Sequence, residues 1–330
     1  RDDGWSWKGR GRDGSERARG AMAVKKGPTQ THELDRFIDP KVLARIDNLE
    51  LLSRSVVSGF INGLHRSPFL GLSLDFAEHR AYMPGDDIRR IDWRLFARTD
   101  RFYIKEFEAD TNSNFVVLLD VSSSMSYEGA GLRKLDYGRF LGACLTYFVR
   151  EQRDRVGLIT FDEKVIDYVP PSAKHLDIVL HSLNRIQPGK GREGSLEGPL
   201  LRAADRLRRK GMVALISDLY ESPERVLEAV KPLRGRGHDL MVFHILDPHE
   251  IEFPFVDASE FEDLETGAQL PVDPPVLRDR YRTAMKEHLD ELTRLFRENQ
   301  IDYARHDTSE PLDFALFDFL AARERLSRVR

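Results

Sequence analysis

Apolar residues recur along this chain with three different rhythms. From residue 31 to 66 they fall every third or fourth position, as in SRSVVSGFINGL, which is the spacing of an amphipathic helix. The period then shortens. Leu72, Leu74 and Phe76 alternate with polar residues, and Phe102 and Ile104 do so again, which predicts strands. From residue 114 onward a third rhythm takes over. Short runs that are apolar at nearly every position alternate with segments of helical period. FVVLLDV, VGLITF, MVALISD and DLMVFHIL are the runs. A strand with no polar face must be covered on both sides. KVIDYVP is expected to pair antiparallel with VGLITF, and IDYARHD is expected as a last strand.

The segments between them read as crossover helices. They are LDYGRFLGACLTYFVREQ, AKHLDIVLHSLNRI, LEGPLLRAADRLRRK, SPERVLEAVKPLRGRGH, VLRDRYRTAMKEHLDELTRLFRENQ and the closing LDFALFDFLAARERL. The third is expected to end in its basic residues, which suit a helix C-terminus. EFPFVDASEFEDLETGAQLPVD, at about 250–273, reads as an inserted hairpin turning at ETG. Strands alternating with helices imply an α/β fold, with a doubly wound, mostly parallel sheet and helices on both faces. In such sheets ligands bind at the carboxyl ends of strands, where the strand order reverses. Asp120 and Asp218 each stand at the end of an apolar run.

Composition narrows the function classes. The chain has 330 residues with 51 basic and 55 acidic side chains, a net charge of −4, so no global field favours nucleic acid or an anionic membrane. No apolar stretch has the length of a bilayer span, so no direct membrane insertion is expected. The single cysteine, Cys144, allows no disulfide within the chain and lies in the apolar run LGACLTYFV, where a buried small hydrophobe is the expected role. A cytoplasmic protein is expected. Residues 1–30, rich in Gly, Arg, Asp and Lys, read as a disordered extension, with Met22 as a candidate start.

Asp120 is followed by Ser122 and Ser124 at alternate positions. One carboxylate, two hydroxyls and a second carboxylate at Asp218 make an oxygen-only set, which suits a hard divalent cation, Mg²⁺ above all and Mn²⁺ next. The serines could equally cap or turn the next segment. GKGREG, 189–194, lacks the order of a P-loop, the ten histidines show no zinc spacing, and no G-x-S-x-G elbow occurs.

DVSSSM after an apolar strand resembles the metal-ion-dependent adhesion site of von Willebrand factor A domains. RAYMPGDDIRRIDWRLFAR, with GLHRSPFLG, FYIKEFEADTN, LISDLYE and FEDLETG, resembles the signature of a prokaryotic family of uncharacterised function. That family joins such a domain to an N-terminal segment and is typically encoded beside MoxR-type AAA+ ATPases. The resemblance runs from about residue 35 to the C-terminus. It implies a family-specific segment at 31–113 and a von Willebrand A-like domain at 114–326. It implies Asp120, Ser122 and Ser124 as the first metal loop, with Asp218 as a distal carboxylate acting through water. The threonine that the adhesion site expects falls on Gly194, leaving Ser195 to supply the hydroxyl after a small loop shift, or the site to lack that ligand. Arg80, Tyr82, Asp86, Asp87, Arg89, Asp92, Trp93 and Arg98 form either a partner surface or an internal ion-pair network. The function implied is a non-enzymatic module that docks a MoxR-type ATPase or its client through Mg²⁺. A metal-dependent hydrolase, or a degenerate module that needs no metal, are the alternatives.

Overall fold

The structure is a computed structural model that describes residues 48–66, 78–81, 93–106, 113–189, 195–257, 259–262, 264 and 269–329. Six strands form one sheet: β3 (Asn114–Asp120), β4 (Arg155–Phe161), β5 (Val165–Ser172), β6 (Gly211–Ser217), β7 (Asp239–Leu246) and β10 (Asp302–Asp307). Their order is β10-β7-β6-β3-β4-β5, with β5 antiparallel at one edge and every other pairing parallel. Two short antiparallel pairs stand apart from it, β1 (Glu78–Ala81) with β2 (Tyr103–Glu106) and β8 (Ser259–Glu262) with β9 (Gln269–Val272).

Side chains of β3 alternate between two cores, as a strand's period of two requires. Phe115, Val117 and Leu119 join the core beneath α1 (Leu49–Arg66), α3 (Lys134–Glu151), α4 (Leu176–Arg185) and α9 (Leu312–Val329). Val116 and Leu118 join the core beneath α5 (Glu197–Arg206), α6 (Pro223–Gly235) and α8 (Pro274–Glu298). Both faces being covered, the strand can be apolar at every position, and each buried side chain of this kind contributes roughly 1.5–3 kcal/mol. This is the doubly wound von Willebrand A-type arrangement that the sequence led us to expect, preceded by a helix and a strand.

Helix α1 is no separate body. Phe60 is 1% exposed and meets the rings of Phe148 on α3 and Phe317 on α9 edge-on, at 6.2 and 4.7 Å. Helix α3 is sheathed by the sheet, α1, α4 and α9, so most of its circumference is apolar. Gly138 and Gly142 face the sheet there. A β-carbon at Gly138 would lie 3.0 Å from Leu119 and 3.2 Å from Ile216, so glycine lets the helix come close above the future site.

Some expectations shift. Helix α5 stops at Arg206, and Leu207, buried with ψ 77°, breaks the helical path. Arg208, Arg209 and Lys210 therefore lie past the helix rather than in its last turn. Two helices were not foreseen. One is α2 (Trp93–Thr99), in the densest polar stretch. The other is α7 (Pro248–Glu252), which a capping box on Asp247 starts. The expected hairpin does form, as β8 and β9, while its turn at ETG, the alternation at 72–76 and residues 31–47 lie outside the described residues. Among the described residues no helix is long and apolar enough to cross a membrane.

Candidate metal centre

From β3 the chain runs outward to β4 and β5, then crosses back to β6 on the other side of β3. A crevice opens at the carboxyl ends of the two strands where the order reverses. Asp120 is the last residue of β3, and Ser217 and Asp218 stand at the end of β6. Asp120, Ser122, Ser124, Ser195 and Asp218, all expected as metal residues, line one small cavity of about 110 Å³ there.

Local bonds fix this geometry. Asp120 is 3% exposed, and both of its oxygens are held: Oδ1 accepts the Ser122 N–H at 2.9 Å and Oδ2 accepts the Ser217 hydroxyl at 2.6 Å. A 3-10 turn over Ser123–Ser126, anchored by the buried Met125, folds the serines back. It brings the Ser122 and Ser124 hydroxyl oxygens to 3.0 Å from each other. Gly189 braces the same loop. Its N–H donates to the Val121 carbonyl at 2.6 Å, and its carbonyl accepts the Ser123 hydroxyl at 3.1 Å. A β-carbon on Gly189 would come within 2.9 Å of the Val121 oxygen, so the contact needs glycine. Ser195 approaches Glu221 Oε2 at 3.5 Å, while the next N–H, of Leu196, donates to Glu221 Oε1 at 2.6 Å. Gly194 lies outside the described residues.

Asp218 also has a partner that the sequence did not point to. Its Oδ2 accepts the Lys134 ammonium at 2.8 Å, and Lys134 is fully buried. The same ammonium donates to Glu250 at 2.8 Å, and Glu250 accepts the Tyr220 hydroxyl at 2.5 Å. The Tyr220 ring lies 4.6 Å from the ammonium, a cation–π contact. Burial alone would lower the Lys134 pKa, but Asp218 and Glu250 reverse that and hold it above its ordinary value. Behind Asp218, His244 bonds the Asp218 carbonyl at 2.8 Å through Nε2 and the Tyr303 hydroxyl at 2.7 Å through Nδ1. Burial holds its pKa down to about 3, so the ring is neutral and Nε2 must carry the proton. Leu219, next in sequence, has φ 48°, a left-handed conformation that is strained for leucine.

The charges do not balance. Lys134 serves Asp218 and Glu250, and Asp120 has no cation of its own among the described residues. Burial first, and then the Asp218 carboxylate, push the Asp120 pKa up to about 7, against the opposing bonds from Ser217 and Ser122. A buried carboxylate beside a second one favours an added positive charge. The two hydroxyls are hydrogen-bonded to each other at 3.0 Å, and the same spacing is compatible with such a charge, since adjacent oxygens of an octahedron with bonds of about 2.1 Å lie about 3.0 Å apart. The donor set is all oxygen, as a hard cation prefers. The residues present thus fit Mg²⁺.

Lys134, Glu250, Tyr220 and Gly189 were missed in the sequence. A lysine at the head of an apolar helix carries no local sign that it will reach a strand end 84 residues away. Of the candidate partner residues, Arg80 lies in β1 opposite Ile104, Trp93 begins α2, and Arg98 is exposed in its last turn. Tyr82, Asp86, Asp87, Arg89 and Asp92 lie outside the described residues.

Residues 78–291, well over half of the chain, match the family described as protein of unknown function DUF58. The chain belongs to that family. Two relatives carry the similarity over most of both chains. Uncharacterized protein Mb1516 of Mycobacterium bovis is 28% identical over 291 residues, 84% of this chain and 89% of the relative. Uncharacterized protein Rv1480 of Mycobacterium tuberculosis matches to the same extent. Among solved structures, the conserved hypothetical protein BatB of Bacteroides thetaiotaomicron is similar at a TM-score of 0.43 and 17% identity, over 64% of this chain and 98% of that one. The SpRpn10 VWA domain is similar at 0.37 and 11%, over 61% and 92%. The fold of this DUF58 chain rests on its own strand order.

Proposed function

We propose that this protein is a non-enzymatic interaction module that docks an acidic side chain of a partner on a divalent cation. Asp120, Ser122 and Ser124 would hold the cation, with Ser195 at the rim and Asp218 on the far side. Mg²⁺ in such a site supplies an open position with residual positive charge, for which a partner's Asp or Glu is the natural ligand. The observation that carries the reading is the meeting of two hydroxyls 3.0 Å apart with a buried carboxylate that has no cationic partner among the described residues, at the switch point of the sheet.

The family resemblance supports a MoxR-type AAA+ ATPase, or the client it remodels, as the partner, with complex assembly or cofactor insertion as the setting. Lys134 suits a docking role. It keeps Asp218 and Glu250 in place whether or not a partner is bound, so the crevice is preorganised. Capture of the cognate ATPase on immobilised protein tests this. Binding should vanish on adding a chelator, return with Mg²⁺, and be absent from Asp120→Ala. Loss of a contact of this kind is worth about 2 kcal/mol, near thirtyfold in affinity. Capture that is indifferent to chelator and to Asp120→Ala would remove the site as the docking point.

A further inference from the structure

A larger cavity, of about 480 Å³, opens at the opposite end of the sheet. It lies where β3, β4 and β6 begin, at Asn114, Arg155 and Gly211, and is walled by Tyr168 and Pro171 of the edge strand and by Arg206–Arg209. Four arginines, Arg155, Arg206, Arg208 and Arg209, thus line one space. The one acidic residue in its wall, Asp205, is already bound by Arg236. None of the four arginines has a carboxylate partner among the described residues. Such a concentration of positive charge is out of keeping with a chain whose net charge is −4.

The arginine-bearing loop is built rather than loose. Leu207 is buried and donates its N–H to Ala203 at 3.1 Å. Its carbonyl accepts Nε2–H of the buried His238 at 3.2 Å. Arg236 donates to the Ala204 carbonyl at 2.8 Å, and Arg208 N–H to the Arg206 carbonyl at 3.1 Å. The Arg206 guanidinium sits 5.4 Å from the Tyr168 ring centre. Backbone and anchor are therefore fixed before any ligand arrives, and the exposed arginines project from a rigid frame.

We infer that this cavity binds a nucleoside polyphosphate. Guanidinium forks match phosphate oxygens in pairs. The volume falls within the roughly 300–1,000 Å³ of small-molecule sites. Tyr168 and Pro171 line the same space, and together with the Arg206 guanidinium held against the Tyr168 ring they offer a planar wall for a base, which a simple polyanion would not use. The inference stands apart from the metal centre, which lies at the other ends of the same strands.

Calorimetry in Mg²⁺-free buffer with chelator tests it, using ATP, inorganic tripolyphosphate and poly-glutamate as probes. Wild type should bind ATP, and should bind tripolyphosphate more weakly. The Arg208→Ser/Arg209→Ser double variant alters exposed side chains and should fold, which circular dichroism checks. It should bind ATP at least tenfold more weakly. Tyr168→Leu should weaken ATP but leave tripolyphosphate unchanged. The proposal is overturned if wild type takes up neither phosphate probe at millimolar concentration, or if the double variant binds ATP as wild type does. It is overturned equally if Tyr168→Leu leaves ATP unaffected, or if poly-glutamate binds more tightly than ATP, which would mark an acidic-peptide groove instead.

Discussion

Lys134 is the residue on which the electrostatics of the switch point turn. It is fully buried between Asp218 and Glu250, and removing one partner of such a group strands the others in a poor solvent for charge. Lys134→Met should therefore cost on the order of 3–5 kcal/mol in chemical denaturation, the usual range for breaking a buried ion pair. A loss under about 1 kcal/mol would mean the carboxylates find other partners. Asp120, Ser122 and Ser124 were legible in the sequence because the motif is contiguous and ends an apolar run. Lys134, Glu250 and Gly189 were not, since each reaches the site only through the tertiary fold. His306 makes a second test at this scale. Burial would lower its pKa, but Asp318 and Glu310, at 3.2 and 3.5 Å, raise it above 6.5. A raised histidine adds stability that is fully present below about pH 6.5 and is lost as pH climbs through the folded value. Thermal melts should show that loss in wild type, and His306→Gln should flatten it.

At the scale of elements, the run-by-run reading of strands and crossover helices held from residue 114 on, because strand and helix periods differ plainly in a sheet covered on both faces. It faltered where the signal was local chemistry. The basic run after α5 looked like a helix terminus, yet the buried Leu207 turns the chain there. Helix α7 is too short for any periodicity and owes its start to Asp247. That aspartate is fully buried at the end of β7. It accepts the N–H groups of Gly129, Ala130, Gly131 and His249 and the Thr308 hydroxyl. Burial would raise its pKa, but those N–H bonds bring it below the ordinary value. It thus ties the loop before α3, which carries Lys134, to α7, which carries Glu250. Asp247→Ala should cost about 2–4 kcal/mol, since several buried donors lose a charged acceptor at once. Hydrogen exchange at Gly129–Gly131 should accelerate more than at the β3 amides. Uniform change across both segments would contradict this anchoring role.

For the whole molecule, the doubly wound sheet gives two unlike ends. At the carboxyl ends of the strands, carboxylates and hydroxyls gather around a small cavity. At the amino ends, arginines gather around a cavity. The first follows from where apolar runs stop in the sequence. The second did not, because Arg155, Tyr168 and Arg206–Arg209 come from separate elements. The central claim concerns the first end, and calorimetric titration with Mg²⁺ tests it most directly. Wild type should bind Mg²⁺ at one site, and Asp120→Ala should keep its fold and show no such binding. Identical titrations of the two proteins, or no binding to either, would contradict the account.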